Sequence, residues 1–135
     1  MENKRAHLEM IQGVINRLSS NSFLLKGWSV VLVSALFALA AEGSNASFVL
    51  IAYFPAVIFW GLDGYFLHQE RLFRALYDRV RILAEEEIDF SMNTSLVKES
   101  VATWSEVTLS KTLVPFHGVV IASVVFVMFA TIFTK

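Results

Sequence analysis

Three apolar runs of near-bilayer length within only 135 residues decide most of what this chain can fold into. Residues 23–41 carry a single charge, Lys26, close to their start. Residues 47–67 are interrupted by Pro55 and carry Asp63 near their end, and residues 112–134 hold no ionisable group except His117. Each run matches the ~20 residues that a helix needs to cross a hydrocarbon layer ~30 Å thick. A helix apolar on every face belongs in lipid or in a large core, and a soluble bundle of this size cannot wrap three of them. The expected fold is therefore all-α: an integral membrane protein with three transmembrane helices and extended cytoplasmic helices.

Composition agrees and removes several function classes. The chain is 56% hydrophobic and 17% charged, against roughly 45–50% and 25% for soluble domains. With no cysteine it has no disulfide framework, thiolate site or cysteine nucleophile. Its three histidines are not spaced as metal ligands, and no phosphate loop or nucleophile–base pair is present, so neither enzyme activity, a metal nor a cofactor is expected. The apolar run begins too late and runs too long for a cleavable signal peptide.

Orientation follows from the basic residues. Lys4, Arg5, Arg17, Lys26, Arg71, Arg74, Arg79, Arg81, Lys98 and Lys111 fall on one side of the runs, and only Lys135 falls on the other. The positive-inside rule then places the N-terminus in the cytoplasm of a cell with an inner membrane and the C-terminus outside. The short polar turn 42–46 joins the first two spans as an outer hairpin, and contains the sequon Asn45-Ala46-Ser47, a pattern frequent by chance. Four segments result: a cytoplasmic amphipathic helix at 1–22, a two-span hairpin at 23–67, a cytoplasmic helical region at 68–111 and a third span at 112–135.

In the first segment Leu8, Ile11, Ile15 and Leu18 recur at helical spacing, a stripe to be covered either by lipid headgroups or by the other cytoplasmic helix. Ser19-Ser20-Asn21-Ser22 is expected to break or cap that helix before the first span. The second span should continue as one helix toward Glu87, supported by the pairs Glu70–Arg74, Arg74–Asp78 and Arg81–Glu85, and fray at the acidic run 85–89, where the helix dipole disfavours anions. Asn93-Thr94-Ser95 reads as a break, after which Val97, Val101, Trp104 and Val107 mark a helix leading into the third span. Pro55 in mid-span and Pro115 near the start of the last span are candidate bends.

Ionisable groups within spans are functional candidates because a charge at the bilayer centre costs at least ~2.5–3.5 kcal/mol on insertion scales. Lys26, Asp63 and His117 each lie a few residues inside the cytoplasmic end of their own run, roughly 5–9 Å deep at 1.5 Å per residue. One layer can hold all three. There Asp63 would pair with Lys26 or His117 and line or gate a pore. Alternatively, Lys26 snorkels to the headgroups while Asp63 and His117 simply hydrogen-bond at the interface. Trp28, Trp60 and Tyr65 fall toward the same boundary, as in an aromatic belt. Ser34, Ala38 and Ala41, with Gly118 and Ala122, form small-residue stripes for close helix packing, and three spans are too few to enclose a path alone, so a homo-oligomer is expected. Arg71, Arg74, Arg79 and Arg81 are read either as an anionic-lipid contact or as an anion site.

The stretches NRLSSNSFLLKGWSVVLVSALFALAA and AYFPAVIFWGLDGYFLHQERLFRALYDRVR resemble those of small, uncharacterised prokaryotic multi-span membrane proteins. The layout is similar to that of membrane effectors of nucleotide-signalling anti-phage defence systems. This resemblance covers residues 16–81 and leaves His117 outside it. It implies an oligomeric channel or membrane disruptor, gated through cytoplasmic helices that bind a nucleotide ligand. The alternative is a non-conducting scaffold or accessory subunit anchoring a soluble protein partner. The remaining expected partner is membrane lipid, and duplex nucleic acid is not among them.

Overall fold

A computed structural model describes residues 2–43 and 47–133, so the turn 44–46, most of the sequon and residues 134–135 lie outside the described part. Helix α1 spans Glu2–Gly43, α2 spans Ser47–Ile82, the short α3 spans Trp104–Thr108 and α4 spans Val114–Phe133. Two 3-10 turns, Glu85–Glu87 and Ser95–Ser100, punctuate the segment between α2 and α3. The described residues contain no strand. Helices α1, α2 and α4 are each long and apolar enough to cross a membrane.

Helix α1 is continuous where a break was expected. Ser19, Ser20 and Asn21 stay helical with exposed side chains. Each costs the helix only tenths of a kcal/mol relative to alanine, up to ~0.7. The fourth residue of the run, Ser22, is not a cap but a hydrogen-bond donor to α2. The amphipathic segment and the first apolar run are therefore one helix of 42 residues, roughly 63 Å long at ~1.5 Å per residue.

Its antiparallel partner α2 ends at Ile82, five residues short of the expected Glu87. Lys4 of α1 closes that end: its ammonium donates to the carbonyls of Arg81 at 2.8 Å and Leu83 at 2.7 Å, acceptors the helix leaves without internal partners. Of the expected pairs, Arg74–Glu70 is present at 3.1 Å. Asp78 instead faces Arg81 at 4.0 Å, and Glu85 accepts the Lys4 amide at 3.4 Å.

The single helix expected over 97–107 is replaced by the 3-10 turn Ser95–Ser100, an extended Val101 and the five-residue α3. Within that turn the Ser100 hydroxyl donates to the Val97 carbonyl at 2.7 Å, a local bond that competes with helical bonding, and in the approach to it side chains bond nearby amides. Asp89 accepts from Ser91 N at 3.0 Å, Ser91 from Asn93 N at 3.0 Å and Asn93 from Ser95 N at 2.9 Å. Thr103 caps α3 by accepting from Glu106 N, and its hydroxyl donates to the Glu106 carboxylate at 3.1 Å. Pro115 is the second residue of α4, where a missing amide costs nothing, so it starts the helix rather than bending it.

Two apolar cores result. Val33 and Ala40 of α1, Val49, Ala52 and Ala56 of α2, and Val120 and Val124 of α4 form one. Ile11 and Ile15 of α1, Leu76 and Val80 of α2, and Ile88 and Val97 of the returning segment form the other. The stripe of α1 is thus covered by α2, as one of the two readings had it. Between the cores, along α1 from Ser22 to Ser29, lies a polar layer.

Candidate functional site

That layer gathers Lys26, Asp63 and His117 from three helices. On α1 the positions Ser22, Lys26, Ser29 and Val33 follow at four, three and four residues, so they share the face turned to α2 and α4. Lys26 Nζ lies 2.6 Å from Asp63 Oδ2 and donates to Ser22 Oγ at 2.9 Å. The Ser22 hydroxyl donates in turn to Asp63 Oδ1. From α4, His117 Nε2 lies 2.7 Å from Asp63 Oδ2. One carboxylate thus takes three donors, an arrangement that fits its ionised form.

Burial makes the arrangement consequential. The side chains of Asp63 and His117 are fully enclosed, and that of Lys26 is 25% exposed. His117 Nδ1 and Ser29 Oγ are buried without a hydrogen-bond partner among the described residues. An ionised carboxylate only accepts, so His117 Nε2 carries a proton and donates it to Asp63 Oδ2.

Trp60 holds the imidazole from the side. Its ring stacks on His117 with centroids 5.8 Å apart and planes 5° apart, and its Nε1 donates to the Thr108 carbonyl at 2.8 Å. A second indole, Trp104, donates to the Gly61 carbonyl at 3.1 Å. The two bonds run in opposite directions between α2 and α3 and clamp the short helix at the level of Asp63. Gly64 permits this approach: a Cβ there would run into the Thr108 hydroxyl and sit 3.1 Å from Thr108 Cβ. At Gly61 the nearest atom, Trp104 Cζ2, would lie at an ordinary 3.7 Å. Trp28 and Tyr65 remain more than or about half exposed, as belt residues would.

The four arginines do not converge. Arg71 donates to Thr112 Oγ1 at 3.3 Å, Arg74 is held by Glu70, and Arg81 faces Asp78. Arg79 borders a small cavity of about 140 Å³ that also touches Glu87 and Asp89. They are spread over ten residues of α2, roughly 15 Å at ~1.5 Å per residue. As a single anion site the set is not assembled in this arrangement. The described residues hold no cluster of His, Asp or Glu suited to a metal.

Sequence reasoning overlooked Ser22, Ser29, Trp60 as the ring that stacks on His117, and the α3 clamp. The phase of Ser22 and Ser29 with Lys26 was a usable signal, and Thr103-Trp104-Ser105-Glu106 is a capping-box pattern that announces α3. Compared with known proteins, the chain matches no family model, no curated protein and no solved structure.

Proposed function

We propose that the chain is a three-span inner-membrane protein with a cytoplasmic N-terminus that assembles as a homo-oligomeric channel or pore-forming effector, gated through its cytoplasmic helices. The observation that carries this reading is the Ser22–Lys26–Asp63–His117 layer between the two cores. Buried charge in a span is expensive and marks function by default. Helices α1 and α2 run unbroken from the core around Ile11 and Leu76 through this layer into the core around Val33 and Val49, so a shift of their paired ends at the first core is felt at Lys26 and Asp63. Exposure of Ser34, Ala38 and Ala41 on α1 supports close subunit packing. The resemblance of residues 16–81 to small prokaryotic membrane proteins, and their layout to defence effectors, supports an effector role with a nucleotide as the gating ligand.

The alternative, a non-conducting scaffold, is favoured by a different observation. The polar layer is closed within one protomer, while Met10, Ile82 and Leu96 stand 60%, 77% and 67% exposed on the cytoplasmic half, a surface suited to a soluble protein. Ion flux in proteoliposomes separates the two. A channel gives flux that Asp63→Asn alters at matched oligomer size. Flux indistinguishable from empty vesicles, with the oligomer present, overturns the pore and leaves the scaffold.

A further inference from the structure

Residues 103–111 read as cytoplasmic in the sequence, yet α3 is clamped beside Gly61 and Gly64 of α2. Gly61 lies six residues inside the end of the apolar run at Leu67, roughly 9 Å at ~1.5 Å per residue. The height of α3 is further fixed by the Trp60–Thr108 bond, since Trp60 also stacks on His117, which touches Asp63. Whatever surrounds α2 at Asp63 therefore surrounds α3.

The outward side of α3 fits that depth. Trp104 is 47% exposed and Leu109 69% exposed, while Val107, on the inward side, is fully buried. Trp28 of α1, at the level of Lys26, and Tyr65 of α2, two residues from Asp63, are also exposed at 58% and 50%. Three exposed aromatic rings from three separate segments thus stand at one height, the pattern of a membrane interface belt. Glu106 and Lys111, both exposed, supply the polar groups that a headgroup region accommodates. A cytoplasmic surface gives no reason for the rings to align.

We propose that residues 103–112 form an interfacial element embedded in the inner leaflet, with Trp104 and Leu109 contacting phospholipid at the boundary between headgroups and acyl chains. The third membrane-embedded stretch then starts about nine residues before the apolar run that defines α4. This rests on the membrane reading of α1, α2 and α4. Through Trp60 and Gly64 the element also ties the state of the inner leaflet to the wall of the polar layer.

The chain's lack of cysteine makes the test direct. Nitroxide labels are placed singly at Leu109→Cys and Ser105→Cys, both exposed, in vesicles of phosphatidylethanolamine and phosphatidylglycerol. Collision rates with oxygen, which partitions into lipid, are compared with those of a water-soluble nickel chelate. Val57→Cys, on the exposed face of α2, serves as the lipid reference and Glu99→Cys as the water reference. The expected result is an oxygen-to-nickel ratio at both sites severalfold above that at Glu99 and below that at Val57. Ratios equal to that at Glu99, with Val57 in lipid, overturn this proposal alone. A water-exposed Val57 overturns the membrane reading and the proposal together. Labels at Leu109 shielded from both reagents and coupled to one another would assign the face to a second copy of the chain and also overturn it.

Discussion

Asp63→Asn keeps the outline of the side chain and removes the anion that organises the polar layer. The ammonium of Lys26 loses its partner at 2.6 Å and keeps only Ser22 Oγ at 2.9 Å, while His117 Nε2 loses a charged acceptor at 2.7 Å. Breaking a buried pair by removing one partner costs about 3–5 kcal/mol, because the survivor is left uncompensated. The two possible survivors differ. Lys26 is 25% exposed and has a long stem, so after Asp63→Asn it reaches toward the surface, and the loss falls at about 3 kcal/mol or slightly below. In Lys26→Met the survivor is Asp63, fully enclosed and unable to move to water, and the loss falls toward about 4–5 kcal/mol. The double variant leaves no orphan charge and should lose less than the sum of the two single losses, by a coupling of about 2–3 kcal/mol between the sites. Unfolding by sodium dodecyl sulfate in lipid-containing micelles, followed by circular dichroism, gives all four stabilities. Single losses that add in the double variant to within about 0.5 kcal/mol would refute the pairing.

The clamp predicts a contrast between two glycines on α2. Gly64→Ala drives a methyl group into Thr108 and should cost about 1–3 kcal/mol in the same unfolding assay, whereas Gly61→Ala meets only an ordinary contact and should be neutral or stabilising. For self-association, crosslinking in native membranes should give a discrete ladder above the 15.2 kDa chain. Ala38→Leu should shorten that ladder by separating exposed faces of α1, and a chain monomeric at every protein-to-lipid ratio would remove the oligomeric pore.

The three long apolar helices and the polar layer were legible because both depend on counting. Apolar runs locate the membrane-length stretches within longer helices, and the distance of Lys26, Asp63 and His117 from the ends of their runs fixes a shared height. The chain between α2 and α4 resisted the same method. Val97, Val101, Trp104 and Val107 have helical spacing, but the Ser100 hydroxyl bonds the Val97 carbonyl and Thr103 starts α3 afresh as its N-cap after an extended Val101, and spacing alone does not register that competition. The docking of α3 was hidden for another reason: mixed residues such as Glu106 and Thr108 dilute hydropathy, although Gly64 leaves room for Thr108 against α2. Continuity at Ser19–Ser22 was misjudged because serine is an N-cap when a helix starts and an ordinary polar surface residue when tertiary contacts carry the helix through. The arginines illustrate the converse, since nearness in sequence did not assemble them into one site.

Lys26, Asp63 and His117 meet in one buried cluster between α1, α2 and α4. Magic-angle-spinning NMR of uniformly ¹³C,¹⁵N-labelled protein in bilayers observes it directly. The expected spectrum has a through-space correlation from Asp63 Cγ to Lys26 Nζ, a second from Asp63 Cγ to His117 Nε2, and a His117 ring protonated at Nε2. An Asp63 carboxyl that correlates with neither residue, beside a Lys26 ammonium exchanging freely with water, would contradict it.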